Sequence, residues 1–164
     1  MFVLGIDPGL TRTGYAVVEA SGATEHLVVA GVIRTNANEP VAGRLLELRR
    51  DVEGLLDDHE VDTAAIEQVF VNRNRNTAMA VARASGVIMA TLAFRDIAVA
   101  EYTPSQMKMA VTGSGAADKN QISAVVAMRL GIPKLDGPAD VADAVGIALC
   151  HTQHSGVLTG RSRR

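Results

Sequence analysis

The spacing of apolar residues changes near residue 39, and this change constrains the possible folds more than any other feature. Before residue 39, the apolar runs predict three strands, which are joined by short turns rich in Gly, Ser and Asn. After it, helical spacing alternates with short apolar strands. The predicted strands cover residues 2–7, 15–19, 26–34, 63–67 and 97–102, and the predicted helices cover 39–58, 76–94, 104–111, 119–130 and 138–151. We expect an α/β fold in which a mixed five-stranded sheet carries helices on both faces.

The composition indicates one folded domain with an aliphatic core. Of the 164 residues, 48% are hydrophobic and 3% are aromatic, so Ala, Val, Leu and Ile must build the core. We expect a single domain over residues 1–154. Residues 155–164 carry three arginines and no apolar periodicity, which predicts a basic, flexible tail.

The remaining composition narrows the cellular setting. The net charge is −2, and the one cysteine, Cys150, excludes an intrachain disulfide and disfavours a zinc cage. The start lacks the pattern of a signal peptide, and the longest apolar stretch, 84–94, is shorter than a bilayer span. We expect a cytoplasmic protein with no membrane partner. His151 and His154 are interpreted as solvated side chains of a final helical turn.

Two predicted strands end on a carboxylate. FVLGID ends on Asp7, and TAAIE ends on Glu67. Gly5 shares a strand face with Asp7 and is expected to leave open space beside it. If the two strands are neighbours and end together, two negative charges converge. The alternatives are an Asx-turn, in which Asp7 caps its own Pro-Gly turn, and a Glu67 that simply emerges into solvent.

A third acidic pattern lies in GPADVADAVGIALC. Asp140 and Asp143 are three residues apart and therefore share one face of a largely apolar helix. The alternative for Asp140 is a favourable interaction with the helix dipole, because acids suit the first turn. Asp143 lies deeper in the helix, where this explanation is weaker.

Carboxylates that converge repel one another, and a site that keeps them ionised needs a cation. Ligation by carboxylate oxygens alone suits Mg²⁺ or Mn²⁺ and not zinc. Two such ions stabilise the attacking and leaving oxygens of an in-line phosphoryl displacement, and one of them lowers the pKa of a bound water. The acidic pattern therefore predicts metal-dependent phosphodiester chemistry without a Ser, Cys or His nucleophile.

Four segments resemble, in order and spacing, the RuvC family of Holliday junction resolvases. They are DPGLTRTGYAVVE, AAIEQVF, EYTPSQMKMAVTGSGAADK and ADVADAVGIALCH, and the resemblance spans about residues 1–154. It implies a ribonuclease H-like fold, a homodimer, and paired symmetric nicks in a four-way DNA junction during homologous recombination and DNA repair. It also implies the branch-migration proteins RuvA and RuvB as partners.

The resemblance carries over to single residues. By position, Asp7, Glu67, Asp140 and Asp143 match the family's acidic quartet, which implies that they are catalytic and hold two Mg²⁺ ions, with Mn²⁺ able to substitute. Some family members carry His where Asp140 stands. Ligation by Asp at that position is chemically straightforward.

Basic residues are expected near the DNA phosphates. Lys108 and Lys119 flank the loop VTGSGAAD, which Gly113 and Gly115 make pliable. Two solvated lysines beside a linker are the alternative. The resemblance implies that both lysines contact DNA.

The segment after Glu67 offers further DNA contacts. Arg73 and Arg75 lie in VNRNRN and are candidates to bind phosphates or bases near the cut. The alternative is an ordinary polar loop in which an Asn caps the next helix. Phe70 reads as a core residue from its apolar character alone. The resemblance implies instead that it stacks on a base near the scissile phosphate.

Small residues recur every fourth position in the long predicted helix over 76–94. Ala78, Ala82, Gly86 and Ala90 form a smooth stripe that lets another backbone approach closely. Such a helix either packs on its own sheet or lies at an interface. A two-fold dimer would present two identical sites to a symmetric junction.

Two other functions compete with the nuclease. The hairpin GIDPGLTRTG resembles the phosphate-binding hairpins of actin-like ATPases, but those proteins need two such domains and usually more than twice this length. The third reading is a module that binds junctions without cutting them, against which the four intact carboxylates argue.

Overall fold

The computed structural model describes residues 1–69 and 75–155, and at Arg75 it describes the backbone alone. The strands are β1 Phe2–Asp7, β2 Arg12–Ser21, β3 Thr24–Arg34, β4 Thr63–Glu67 and β5 Ala98–Tyr102. The helices are α1 Val41–Asp58, α2 Arg75–Phe94, α3 Pro104–Thr112, α4 Lys119–Arg129 and α5 Ala139–His154. Every predicted element is present in the predicted order. The predicted tail lies outside the described residues apart from Ser155, and the division into domain and tail stays a prediction.

β2 begins three residues earlier than predicted. Arg12 already pairs with Arg34 on β3, so strand pairing reaches down to the tight turn that follows Asp7. Within this turn, Thr13 Oγ1 donates to Gly9 O at 2.7 Å and accepts from Gly9 N at 3.3 Å. These bonds fix the hairpin that joins β1 to β2.

The strands form one sheet in the order β3-β2-β1-β4-β5. β1 is antiparallel to β2 and parallel to β4, and β4 is parallel to β5. The sheet is therefore mixed, as predicted. Because β1 and β4 run in the same direction, their carboxyl ends reach the same edge of the sheet.

The core has two layers, one on each face of the sheet. Alternate residues of β1 divide between them: Val3 faces α3, α4 and α5, whereas Leu4 and Ile6 face α1 and α2. Helices thus cover both faces, which confirms the predicted architecture.

α5 lies directly on the sheet because two glycines leave room for its backbone. A Cβ on Gly5 would overlap the Ala144 carbonyl oxygen and would come within 2.7 Å of Ala148 N. A Cβ on Gly14, which pairs with Asp7 across β1 and β2, would overlap the Asp140 carbonyl oxygen. The expectation of open space beside Asp7 was wrong, since the backbone of α5 fills it.

α2 covers the other face. Ala84, Ile88 and Leu92 are buried against the sheet and α1, whereas Ala82, Gly86 and Ala90 are exposed. Among the described residues, the segment Asn76–Phe94 is long and apolar enough to cross a membrane, with mean hydropathy 1.5 and 33% of the tested window buried. The prediction that the longest apolar stretch is shorter than a bilayer span was therefore wrong. Length and apolar composition alone do not indicate a membrane span, because a helix that covers a sheet meets the same criteria.

His151 is not the solvated residue expected from the sequence. It is half-buried, with Nε2 3.1 Å from Thr63 Oγ1 and Nδ1 2.9 Å from the Tyr102 hydroxyl. Burial, together with the neighbouring His154, lowers its pKa from 6.5. His151 therefore joins α5 to β4 and β5.

Candidate active site

β1 and β4 bring Asp7 and Glu67 together. Ile6 lies opposite Ile66 in the parallel pair, so both carboxylates project from the same sheet edge. The two carboxyl groups share a hydrogen bond. Burial, followed by the charge of Glu67, raises the pKa of Asp7 from 3.8 to about 8, so the Asp7–Glu67 pair holds a proton at neutral pH. Burial also raises the pKa of Glu67.

α5 carries the other two carboxylates over this edge. Asp140 is in the first turn of the helix, and Asp143 follows three residues later on the same face. The charges of both act on Asp7, and that of Asp143 also acts on Glu67. Burial raises the pKa of Asp143, and the charge of Lys119 opposes this effect. Four carboxylates from three separate segments therefore form one electrostatically connected group.

Two lysines lie beside this group. Lys119 Nζ is 3.9 Å from Asp143 Oδ2, and the lysine side chain is 75% exposed. The charge of Lys108 also acts on Glu67 and Asp143, where it opposes the rise in pKa that burial causes. Exposed positive charge next to half-buried carboxylates suits a ligand that is itself an anion.

Capping residues fix the helices that carry these lysines. Thr103 and Gln106 form a capping box at the start of α3, and Asp118 and Gln121 form one at the start of α4. Gly113 ends α3 in the left-handed conformation with φ 75°. Lys119 is therefore the first residue of a well-capped helix.

Arg12 is a site residue that sequence analysis missed. It forms an ion pair with Asp140, between Nη2 and Oδ2. The contact between Arg12 Nη2 and Asp140 Oδ2 does not have the geometry of a hydrogen bond. The Oδ2 atom is buried and has no hydrogen-bond partner among the described residues. The only available signal was the presence of Arg12 within DPGLTRTG, and that signal could not reveal which helix the arginine faces.

The donor set suits a hard divalent cation. All four groups are carboxylates, three of them have raised pKa values, and the fourth has a buried oxygen without a hydrogen-bond donor. Within residues 1–69 and 75–155, however, no three His, Cys, Asp or Glu side chains converge tightly enough to hold one ion as arranged.

Three predicted DNA contacts stay predictions. Phe70 and Arg73 lie outside the described residues. Arg75 is the first residue of α2, and its side chain is not described.

The family model for crossover junction endodeoxyribonuclease RuvC matches residues 3–151. A crossover junction endodeoxyribonuclease RuvC from Mycolicibacterium vanbaalenii is 45% identical, over 96% of this chain and 82% of its own length. One from Thermobifida fusca is 46% identical, over 92% of this chain and 84% of its own length.

Solved structures agree with the sequence comparisons. The structure of Thermus thermophilus RuvC in complex with Holliday junction substrate has a TM-score of 0.90 and 32% identity, covering 96% of this chain and 97% of the other. The yeast mitochondrial Holliday junction resolvase Ydc2, at 13% identity and a TM-score of 0.69, shares the fold alone. The fold is therefore the expected ribonuclease H-like fold. The family model matches nearly the whole chain, and the relatives are covered over most of their length. The chain therefore belongs to the RuvC family of crossover junction endodeoxyribonucleases.

Proposed function

We propose that this protein resolves four-way DNA junctions by paired, symmetric hydrolysis of two phosphodiester bonds, in homologous recombination and DNA repair. The observation that carries the proposal is the meeting of Asp7, Glu67, Asp140 and Asp143 at one sheet edge, beside two lysines. Membership of the RuvC family supports the substrate, because its relatives are named as crossover junction endonucleases. The family also implies dependence on a divalent metal.

The four carboxylates are proposed to be the catalytic residues and the metal ligands. The ions are two Mg²⁺ per site, and Mn²⁺ can replace them, since both prefer oxygen ligands. When bound, a pair of divalent ions stabilises the attacking and leaving oxygens of an in-line displacement. Asp7 must lose its proton to become a ligand, because its pKa of about 8 keeps it protonated at neutral pH.

The cationic residues are proposed to bind and orient the DNA. Lys108 and Lys119 lie where their charges act on the carboxylates, which suits contact with phosphates beside the scissile bond. Phe70 is assigned to DNA by family resemblance, and Arg73 and Arg75 are assigned to it by their positive charge in the segment that follows Glu67. Phe70 would stack on a base, and the arginines would bind phosphates.

The proposed assembly is a homodimer formed through α2. Its exposed small residues, Ala82, Gly86 and Ala90, allow a second α2 to approach closely, and Met79 beside them is 53% exposed. A two-fold axis there gives two active sites for two cuts. RuvA and RuvB are proposed as partners, and the cytoplasm is proposed as the location.

The test is cleavage of a synthetic four-way junction at increasing Mg²⁺ concentration. The variants are Asp7→Asn, Glu67→Gln, Asp140→Asn and Asp143→Asn, with exposed Asp58→Asn as the matched control. Each site variant should lose about two or more orders of magnitude in rate, because carboxylate ligation is worth several kcal/mol in the transition state. Asp58→Asn should cut like the wild type.

Other outcomes identify the competing functions. Junction binding in Ca²⁺ without cutting in Mg²⁺ or Mn²⁺ would indicate a binding module. ATP binding in a calorimeter, without junction binding, would indicate a nucleotide-binding protein. Site variants that cut at the wild-type rate would refute the residue assignment.

A further inference from the structure

Arg12 contacts one of the proposed metal ligands, and no step of the proposed reaction uses it. Its Nη2 pairs with Asp140 Oδ2, and the two side chains are 41% and 30% exposed. Solvent therefore reaches both side chains, although the Oδ2 atom of Asp140 is itself buried. A part-exposed ion pair of this kind is weak enough to exchange partners.

Two rigid parts of the fold hold the pair in place. Arg12, Gly14 and Ala16 alternate onto the sheet face that α5 covers. The Asp140 backbone rests against Gly14, two residues from Arg12. The Arg12 backbone is fixed in turn by the hairpin, because Thr11 O accepts from Thr35 N at 3.3 Å and Thr11 Oγ1 accepts from Arg44 Nη2 at 2.7 Å. The contact is thus built in by the fold.

Arg12 and a metal ion need the same oxygen. Oδ2 is buried, and among the described residues it has no hydrogen-bond partner, so the guanidinium is its neighbouring cation. A divalent ion that takes Oδ2 must displace the guanidinium from it. We infer that Arg12 is a positioning residue that holds Asp140 until a divalent ion takes this carboxylate, and that Arg12 then binds a phosphate of the DNA. This inference rests on the proposed function, since it treats Asp140 as a metal ligand.

The surroundings of Arg12 favour a phosphate as its second partner. Arg34, which is exposed, lies directly opposite Arg12 on β3 and adds a second positive charge. The planar guanidinium matches the oxygens of a phosphate as well as those of a carboxylate. Displaced from Asp140, Arg12 would therefore have an anionic partner at the edge where the DNA backbone must pass.

The first test measures Mn²⁺ binding without DNA, from the electron paramagnetic resonance signal of free Mn²⁺. Arg12→Ala and Arg12→Gln are compared with Arg34→Ala, which removes the same charge from the neighbouring ladder position. The Arg12 variants should bind Mn²⁺ about two- to fivefold more tightly than Arg34→Ala, as expected when a part-exposed competing ion pair is lost. Affinity equal to or weaker than that of Arg34→Ala would overturn the inference.

The second test measures junction binding in EDTA and in Ca²⁺. In EDTA, Arg12 stays with Asp140, so Arg12→Ala should change junction affinity little. In Ca²⁺, the released arginine binds phosphate, and Arg12→Ala should weaken junction binding by about tenfold, as for loss of a charged hydrogen bond. Equal losses in both conditions would refute the exchange of partners.

A failure of the proposed function gives a different result. If Asp140→Asn binds Mn²⁺ as the wild type does, Asp140 is not a ligand, whatever Arg12 does. If Asp140→Asn loses affinity while the Arg12 variants match Arg34→Ala, the metal site stands and only the role of Arg12 is wrong.

Discussion

At the scale of single residues, Asp7 shows the largest change of pKa among the residues that the structure describes, mainly because it is partly buried. Burial and three nearby carboxylates raise its pKa from 3.8 to about 8. The folded protein therefore binds this proton more tightly than the unfolded chain does. The contribution of this bound proton to the stability of the folded protein is fully present below pH 3.8 and is lost as the pH rises to about 8.

This shift predicts how Asp7→Asn changes stability with pH. Asn cannot ionise, so the variant escapes the destabilisation that wild type suffers at high pH. The quantity compared is the Tm of Asp7→Asn minus the Tm of wild type, measured in EDTA. This difference should be larger at pH 9 than at pH 5 by at least about 2 °C. Thermal denaturation at both pH values, with Asp58→Asn as control, measures this difference. An unchanged difference between pH 5 and pH 9 would exclude the raised pKa.

The lysines make a second prediction at this scale. Lys108→Ala and Lys119→Ala should each weaken junction binding in Ca²⁺ without a change in sequence preference. Each should also reduce the slope of log affinity against log salt by about one, because one phosphate contact is lost. Exposed Lys134→Ala is the control, and it should leave the slope unchanged. If all three variants change the slope equally, Lys108 and Lys119 contribute only to the overall positive electrostatic potential and make no phosphate contacts of their own.

At the scale of elements, the seating of α5 on β1 and β2 determines where Asp140 and Asp143 lie. Gly5→Ala places a methyl group against the α5 backbone at Ala144 and Ala148. We expect the free energy of unfolding to fall by about 2–3 kcal/mol, the usual cost of overpacking.

The control for this prediction is another Gly→Ala change. Gly54 is exposed within α1, and its Cβ would meet no atom within 4 Å. Gly54→Ala should raise the free energy of unfolding by up to about 1 kcal/mol, because Ala favours the helix. Urea denaturation compares the two variants. A Gly5→Ala protein as stable as wild type would contradict the close helix–sheet contact.

The elements themselves were predictable from the sequence. Apolar periodicity and turn residues predicted each strand and helix, and their order predicted a mixed sheet. The ends of FVLGID and TAAIE suggested that Asp7 and Glu67 would meet if their strands were neighbours, and the parallel pairing of β1 and β4 supplies that condition. These inferences need only local pattern and simple topology.

The contacts between elements were not predictable in the same way. Gly5 suggested open space because a sequence does not show which helix crosses above it. Arg12 was not singled out and His151 was interpreted as solvated, since their partners Asp140 and Tyr102 are distant in sequence. The role of Phe70 came from family resemblance and that of Arg73 from its charge beside Glu67, and both stay predictions.

At the scale of the whole molecule, the proposed dimer through α2 explains how one small enzyme makes paired cuts. Gly86 is exposed, and beyond its chain neighbours and the backbone of its own helix a Cβ there would meet no atom of the described residues within 4 Å. Gly86→Glu should therefore leave the monomer folded but place a charge in the interface. We expect sedimentation to show a dimer for wild type and a monomer for Gly86→Glu.

Gly54→Glu is the control, since it adds the same charge to an exposed position of α1. It should remain dimeric and make paired cuts. Gly86→Glu should leave mainly single nicks in a junction, because two sites no longer act together. A dimeric Gly86→Glu protein would place the interface elsewhere.

The proposed catalysis depends most on carboxylates that release a proton when they bind metal ions. Calorimetric titration with Mn²⁺ at pH 7, in buffers with different ionisation enthalpies, tests this directly. We predict two ions per chain and release of about one proton, because Asp7 is protonated before binding. Asp7→Asn should release no such proton. Wild-type protein that binds no Mn²⁺, or binds it without releasing a proton, would contradict the account.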